Sequence, residues 1–167
     1  MSEIVTDEQA GTNGGFEYSK SGLPVNWGLY TPKTVPEGDF DILIDTTEFF
    51  NGKQSLKFKV RGCVSDGGWY SPGIYQEFTV APGKTYLVSW WIKNEGCKYR
   101  VILMSIEDYV KTNEGRFQSP QSTDTVGSWH KFESRCTLSK NQKRLRFELG
   151  IVGPGTLWID EIRIDQE

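Results

Sequence analysis

Long apolar runs are missing from this 167-residue chain. No stretch approaches the ~20 consecutive apolar residues that a membrane-spanning helix needs, so none is expected. Basic excess is missing too. Nineteen Lys and Arg stand against 22 Asp and Glu, a formal net charge of −3. With no basic field to neutralise phosphates, nucleic acid is not an expected partner. His130 is the one histidine, and the three cysteines, Cys63, Cys97 and Cys136, show no CxxC or Cys/His spacing. That pattern argues against a zinc site. It leaves open one disulfide with a free thiol, or three buried and half-buried thiols, the commoner arrangement. GxSxG, HExxH and phosphate-loop motifs are absent. Convincing helical periodicity is absent as well, with 106–113 the single short stretch that resembles it. The residues after Met1 are polar (Ser2, Glu3, Thr6, Asp7, Glu8 around Ile4 and Val5) and carry no apolar segment of a secretory signal.

What is present is glycine and aromatic surface. There are 18 Gly, six Trp and seven Tyr, and 13% of the residues are aromatic. So many aromatics rule out a disordered chain. Glycine breaks helices and serves turns, whereas Tyr and Trp favour strands and make good ligand platforms. Strand patterns fall at 40–45, 55–60, 74–80, 85–93, 99–106, 130–138, 144–151 and 156–164. They are split by turns at Gly62, Gly67-Gly68, Ala81-Pro82-Gly83-Lys84, Asn94-Glu95-Gly96, Gly115 and Gly153-Pro154-Gly155. Short strands at this spacing predict a sandwich or barrel. Residues 1–12 are polar and aperiodic and read as a tail or linker, leaving 13–167 as one domain.

Period 2 assigns faces. Tyr86, Val88, Trp90 and Ile92 are uniformly apolar and should face the core, which puts Trp91 on a half-polar face with Leu87, Ser89 and Lys93. In 144–151, Leu145, Phe147, Leu149 and Ile151 face in, and Arg144, Arg146 and Glu148 face out.

Five segments then carry a resemblance. They are Asn13-Gly14-Gly15-Phe16-Glu17, Leu23-Pro24-Val25-Asn26-Trp27, Asn51-Gly52-Lys53-Gln54-Ser55-Leu56-Lys57, the pair Tyr75-Gln76-Glu77-Phe78 and Pro82-Gly83-Lys84-Thr85-Tyr86, and Gly155-Thr156-Leu157-Trp158-Ile159-Asp160-Glu161-Ile162. In this order they resemble the carbohydrate-binding modules of families four, nine and twenty-two, which accompany xylanases and glucanases. The likeness spans roughly residues 13–165. It implies an all-β, jelly-roll β-sandwich of two antiparallel sheets, monomeric, extracellular and tethered to a glycoside hydrolase, with a polysaccharide or oligosaccharide as partner. It also implies a structural Ca²⁺ joining the first strand to the last through Gly15, Glu17, Lys53 and Asp160, with Phe50 as a further ligand. Carboxylates and carbonyls suit that hard cation. Glu17 and Asp160 have a purely structural reading too, as acceptors of turn N–H groups.

A sugar ring has apolar C–H faces and a hydroxyl rim, so a flat aromatic beside polar groups is the expected site. Trp69 and Tyr70 follow Asp66-Gly67-Gly68 in a glycine-rich loop with little core to fill, and Trp69 sits where the resembling modules place a stacking aromatic. Trp91 comes next, then Tyr109 and Phe117 as an opposite wall. Arg144, Arg146 and Glu148 are the expected hydroxyl partners. Each has a structural alternative: Trp69 or Tyr70 as a loop lid, Trp91 packed under a loop, the charged row as a solvated face. Trp27, Trp90, Trp129 and Trp158 read as core. Two stacks, each covering ~100 Å² of ring face, supply on the order of 5 kcal/mol before association costs. The resulting affinity is roughly 0.01–1 mM.

Two other functions compete. A glycan-degrading enzyme needs paired carboxylates about 5–10 Å apart in a cleft. Glu77, Glu133 and Glu148 are available but nothing marks a pair, and His130 reads as structural rather than as a general base. A structural or protein-interaction jelly roll would bury the same aromatics against a neighbour.

Overall fold

The computed structural model describes residues 4–107, 116–117 and 126–167. Among the described residues, twelve strands form two five-stranded antiparallel sheets and one small hairpin. The strands are β1 (Ser19–Lys20), β2 (Leu23–Pro24), β3 (Gly28–Tyr30), β4 (Asp39–Asp45), β5 (Ser55–Gly62) and β6 (Gly73–Thr79). They continue as β7 (Thr85–Glu95), β8 (Tyr99–Ser105), β9 (Arg116–Phe117), β10 (His130–Thr137), β11 (Arg144–Ile151) and β12 (Gly155–Gln166). The front sheet has the order β3-β6-β11-β8-β9 and the back sheet β10-β7-β12-β5-β4, while β1 pairs with β2. This is the predicted all-β sandwich. The strands expected from alternation all form, within a residue or two of their expected ends. The short strands β1, β2, β3 and β9 were not expected, because two or three residues carry no readable period. Most of 106–113 lies outside the described residues.

Alternation builds the core. Leu56, Phe58, Val88, Trp90, Ile92, Leu157 and Ile159 from the back sheet meet Ile74, Val101, Leu103, Leu145, Phe147 and Leu149 from the front sheet, all fully or nearly fully buried. Trp90 lies edge-on to Phe147 at 5.5 Å across the interior, and Trp27 meets the same Phe147 ring edge-on at 6.1 Å. Edge-to-face geometry suits the ring quadrupoles. Two of the expected core tryptophans lie elsewhere. Trp129 is half-buried, and Trp158 is buried on the outward face of β12, in register with Lys57 and Lys93. The ammonium groups of those two lysines cover its ring at 5.3 and 5.1 Å. Outward-facing does not mean exposed where long side chains lie across a ring.

The first motif closes the domain. Asn13 donates from Nδ2 to the Tyr18 and Val25 carbonyls and accepts from the Tyr18 N–H, which braces the β1–β2 hairpin. Its own carbonyl accepts the Trp27 indole N–H. Gly14 accepts the Ile162 N–H, and a Cβ there would stand 1.8 Å from the Ile162 oxygen, so only glycine fits. That contact falls at the bulge of β12 between Asp160 and Arg163, where Glu161 takes a positive φ of 51°. The segment before it, read as a polar tail, is fastened from Val5 onward. Asn26 donates to the Val5, Asp7 and Gly11 carbonyls and accepts from the Asp7 N–H.

The three cysteines are free thiols, two buried and one half-buried. Burial pushes the Cys97 and Cys136 thiols up to about 12, which makes them poor nucleophiles.

Candidate functional site

The outward face of the front sheet is polar and aromatic. Register places Gly28, Tyr75, Glu148 and Ile102 in one row across β3, β6, β11 and β8. Tyr30, Gly73, Gly150 and Arg100 form the next row, and Glu77, Arg146 and Met104 lie in register on the other side. Tyr30, Gly73, Met104, Glu148 and Gly150 point away from the core yet are buried. Neighbouring side chains and the loop before β6 cover several of them, so they form the floor beneath those groups.

Arg146 organises that floor. Its guanidinium donates to Glu148 Oε2 at 3.0 Å, to Glu77 Oε1 at 3.1 Å and to the Tyr30 hydroxyl at 2.9 Å. It also stacks 4.0 Å from the centre of the Tyr75 ring, whose other side lies against Gly28. Burial opposes the Arg146 charge, but Glu148, Tyr30 and Glu77 outweigh it and hold the guanidinium protonated. Burial, then the nearby Glu148 charge, push the Tyr30 hydroxyl well above its ordinary value. The result is a rigid set of donors and acceptors suited to sugar hydroxyls. The guanidinium already covers one face of the Tyr75 ring, and the Tyr30 ring lies 5.3 Å from it.

The open rings stand at one end. Gly67 and Gly68 adopt positive φ of 78° and 56°, which lets the loop after β5 turn back tightly. The loop settles on the sheet where Gly150 has no side chain. A Cβ there would lie 4.0 Å from the Gly68 nitrogen. Buried Ser71 pins the loop, accepting from the Gly67 N–H at 2.9 Å and donating to the Val64 carbonyl at 3.2 Å. Arg100 holds it from β8 through the Ser65 carbonyl. The loop thereby lifts Trp69, 66% exposed, and Tyr70, 53% exposed, edge to face with centroids 5.8 Å apart. Arg144 lies six residues along β11 from Gly150, about 20 Å away at the strand rise.

Five expected residues thus share this face or its rim: Trp69, Tyr70, Arg144, Arg146 and Glu148. Trp91 does not. It is on the outward face of the back sheet, where the Phe50 ring stacks on it at 3.7 Å and 14°. The Trp129 ring stands 6.3 Å from Phe50, and its indole N–H donates to Glu48. Trp91 is therefore the bed on which the turn around Phe50 lies. Phe117 is also corrected: its register partner on β8 is core Leu103, and it packs against the core rather than walling the groove. Tyr109 lies outside the described residues. Sequence reasoning missed Tyr30, Tyr75, Arg100, Ile102 and Met104. Tyr75 and Glu77 alternate with core Ile74 and Phe78, a signal present in the sequence, but Tyr30 sits on a three-residue strand that gave none. Replacing Trp91 with alanine is expected to lower the melting midpoint by about 4–8 °C, for about 2 kcal/mol of lost stacking and apolar cover. Glycan binding by that variant should match the parent in native gels.

The candidate carboxylates are engaged in ion pairs. Glu77 and Glu148 flank the single guanidinium of Arg146, and Glu133 is on the back sheet beside Lys131. His130 is exposed at the start of β10, 3.0 Å from the Ser128 hydroxyl.

The residues expected around a metal do converge. Asp160 is fully buried, and its carboxylate accepts N–H groups from Phe50, Asn51 and Glu161 at 2.8–3.1 Å. Glu17 accepts from the Lys53 N–H of the same turn, and Gly15 lies against the Glu161 and Glu17 side chains. Phe50 thus presents its N–H, not its side chain, to this corner. Burial outweighs the three hydrogen bonds and pushes the Asp160 carboxyl up to about 7. No Lys or Arg pairs with it among the described residues. A buried carboxylate and a second one on the same turn fit a hard cation by donor chemistry. Among the described residues no cluster of three or more His, Cys, Asp or Glu exists, so carbonyls would complete the shell.

No protein-family model matches the sequence, and no curated protein matches it. Solved structures do. The CBM22-1 xylan-binding domain of Paenibacillus barcinonensis Xyn10C is 15% identical with a TM-score of 0.64, covering 92% of this chain and 91% of that one. TmCBM61, solved with β-1,4-galactotriose, is 18% identical with a TM-score of 0.63, covering 93% and 96%. The enzymatically active domain of bacteriophage CBA120 tailspike protein 4 is 11% identical with a TM-score of 0.62, covering 93% of this chain and 21% of that one. The fold is therefore the sandwich of carbohydrate-binding modules, the one the sequence motifs resemble. That fold also occurs inside an enzyme, so function must come from the site.

Proposed function

We propose that this protein is a non-catalytic carbohydrate-binding module that takes a soluble β-glycan, of the xylan or β-glucan type, along the front face. Trp69 and Tyr70 stack on sugar rings, and Arg146, Glu148 and Arg144 bind hydroxyls. The module holds an attached glycoside hydrolase near its substrate outside the cell, through raised effective concentration. A Ca²⁺ ion bound by Glu17, Asp160 and the Gly15 and Lys53 carbonyls ties the first motif to β12.

One observation carries the reading: two largely bare aromatic rings stand at the end of a hydrogen-bonding face. A large ring left in water at a rigid loop is a typical binding signature. The xylan and galactotriose named for the similar structures agree in chemical class. Native gels containing xylan, mixed-linkage glucan or β-1,4-galactan test it. Retardation by at least one polymer, with a shift in tryptophan fluorescence and no new reducing ends, is expected. Free migration in all three, with concentration-dependent self-association, would replace it with a protein-interaction role. Release of reducing ends would make it an enzyme.

A further inference from the structure

Among the described side chains of the front face, one arginine stands apart from the others. Arg61 pairs with Asp39 and Asp41, Arg135 with Glu167, and Arg163 with Glu161. Arg144 pairs with Glu77 and Glu107, and Arg146 with Glu77 and Glu148. Arg100 has no carboxylate within ion-pair distance among the described residues. Its hydrogen bond runs from Nη2 to the Ser65 carbonyl at a long 3.4 Å. Its side chain is exposed.

Its position matters more than its charge. Arg100 ends the row Tyr30–Gly73–Gly150–Arg100, in which two neighbouring positions have no side chain. The Trp69–Tyr70 loop settles over that gap, and Arg100 Nη1 comes within 3.4 Å of where a Cβ on Gly67 would be. An exposed guanidinium and the two exposed rings therefore share one end of the face. A guanidinium is a planar fork of donors matched to a carboxylate, a match that a neutral hydroxyl cannot make. A sugar that presents both a C–H face for the rings and a carboxylate on its edge is a uronic acid.

We propose that Arg100 and the Trp69–Tyr70 loop form a subsite for the carboxylate of a uronic-acid sugar, so that the preferred ligand is an acidic β-glycan. The inference rests on the glycan-binding reading above and names its substrate class. The net charge of −3 supplies no general attraction to a polyanion. Asp66, on the same loop, opposes an anion and sets the preference lower than Arg100 alone would.

Xylan bearing glucuronic acid, and the same polymer after chemical reduction of its carboxyl groups to alcohols, are the two probes. The parent protein is expected to bind the acidic polymer about tenfold more tightly at low salt, with the ratio shrinking as salt screens the pair. Arg100→Gln removes the charge. It should bring the ratio to one, weakening the acidic polymer about tenfold more than the reduced one, and Asp66→Asn should widen the ratio. Equal binding of both polymers by the parent overturns the proposal. So does an Arg100→Gln variant that weakens both in proportion, since Arg100 would then merely prop the loop. Retention of neither polymer overturns the glycan-binding reading itself.

Discussion

Replacing Trp69 with alanine is expected to abolish retardation in polysaccharide gels and to leave the melting midpoint within about a degree of the parent. The two halves of that result have separate causes. Trp69 is two-thirds exposed, and the ring it meets among the described residues is that of Tyr70, itself exposed. Little core is lost with it. The loop backbone is held by Ser71, Arg100 and two glycines at positive φ, none of which depends on the indole. A bound sugar, however, would cover one indole face, roughly 100 Å², worth about 2.5 kcal/mol. That is about seventyfold in affinity, enough to carry a sub-millimolar interaction out of the range that a gel detects. Titration calorimetry supplies the number. Affinity within about threefold of the parent would move the binding site away from this loop. Tyr70→Ala should show the same pattern at smaller size, because a phenol ring covers less area.

Replacing Asp160 with alanine should have the largest effect on stability. Its fully buried carboxylate gathers the part-buried Phe50, Asn51 and Glu161 N–H groups. Removing the acceptor leaves those three donors without it and empties a buried position, at a cost of about 3–5 kcal/mol. For a chain of this length the midpoint should fall by roughly 10 °C or more. Thermal unfolding followed by circular dichroism checks it, and Asp160→Asn, which keeps the shape and one acceptor oxygen, should fall between parent and alanine variant. The same assay tests the cation. Chelation is expected to lower the parent midpoint by several degrees, added Ca²⁺ to restore it, and the alanine variant to ignore both. A parent midpoint unmoved by chelator would leave Asp160 as an acceptor of backbone N–H groups and no more.

The reach of the sequence differed from element to element. Strands such as β5, β7 and β11 were legible because alternation is local. Leu56, Phe58 and Val60 share a side whatever else the chain does. β3 was not legible, though it contributes Tyr30, because three residues cannot display a period. The motif ends were legible for a different reason. Glu17 and Asp160 stand in motifs that the resemblance brings to one corner, and both accept N–H groups from the turn at 50–53. Trp69 was legible from its glycine loop, whereas Trp91, chosen from an equally sound alternation, was misplaced. Nothing near Trp91 in sequence announces that Phe50, forty residues away, will lie flat on it.

What the residues determined unaided was direction: which side chains point into the sandwich, which point out, and where the chain turns. Those follow from bond geometry over a few neighbours. What only the tertiary structure decided was cover. Trp158 and Glu148 point outward and are nevertheless buried, Trp69 points outward and is bare, and among the described side chains Arg100 is the arginine with no carboxylate partner. Cover and charge pairing depend on loops brought together from distant parts of the chain, and no local pattern records which loop will come to rest on which face.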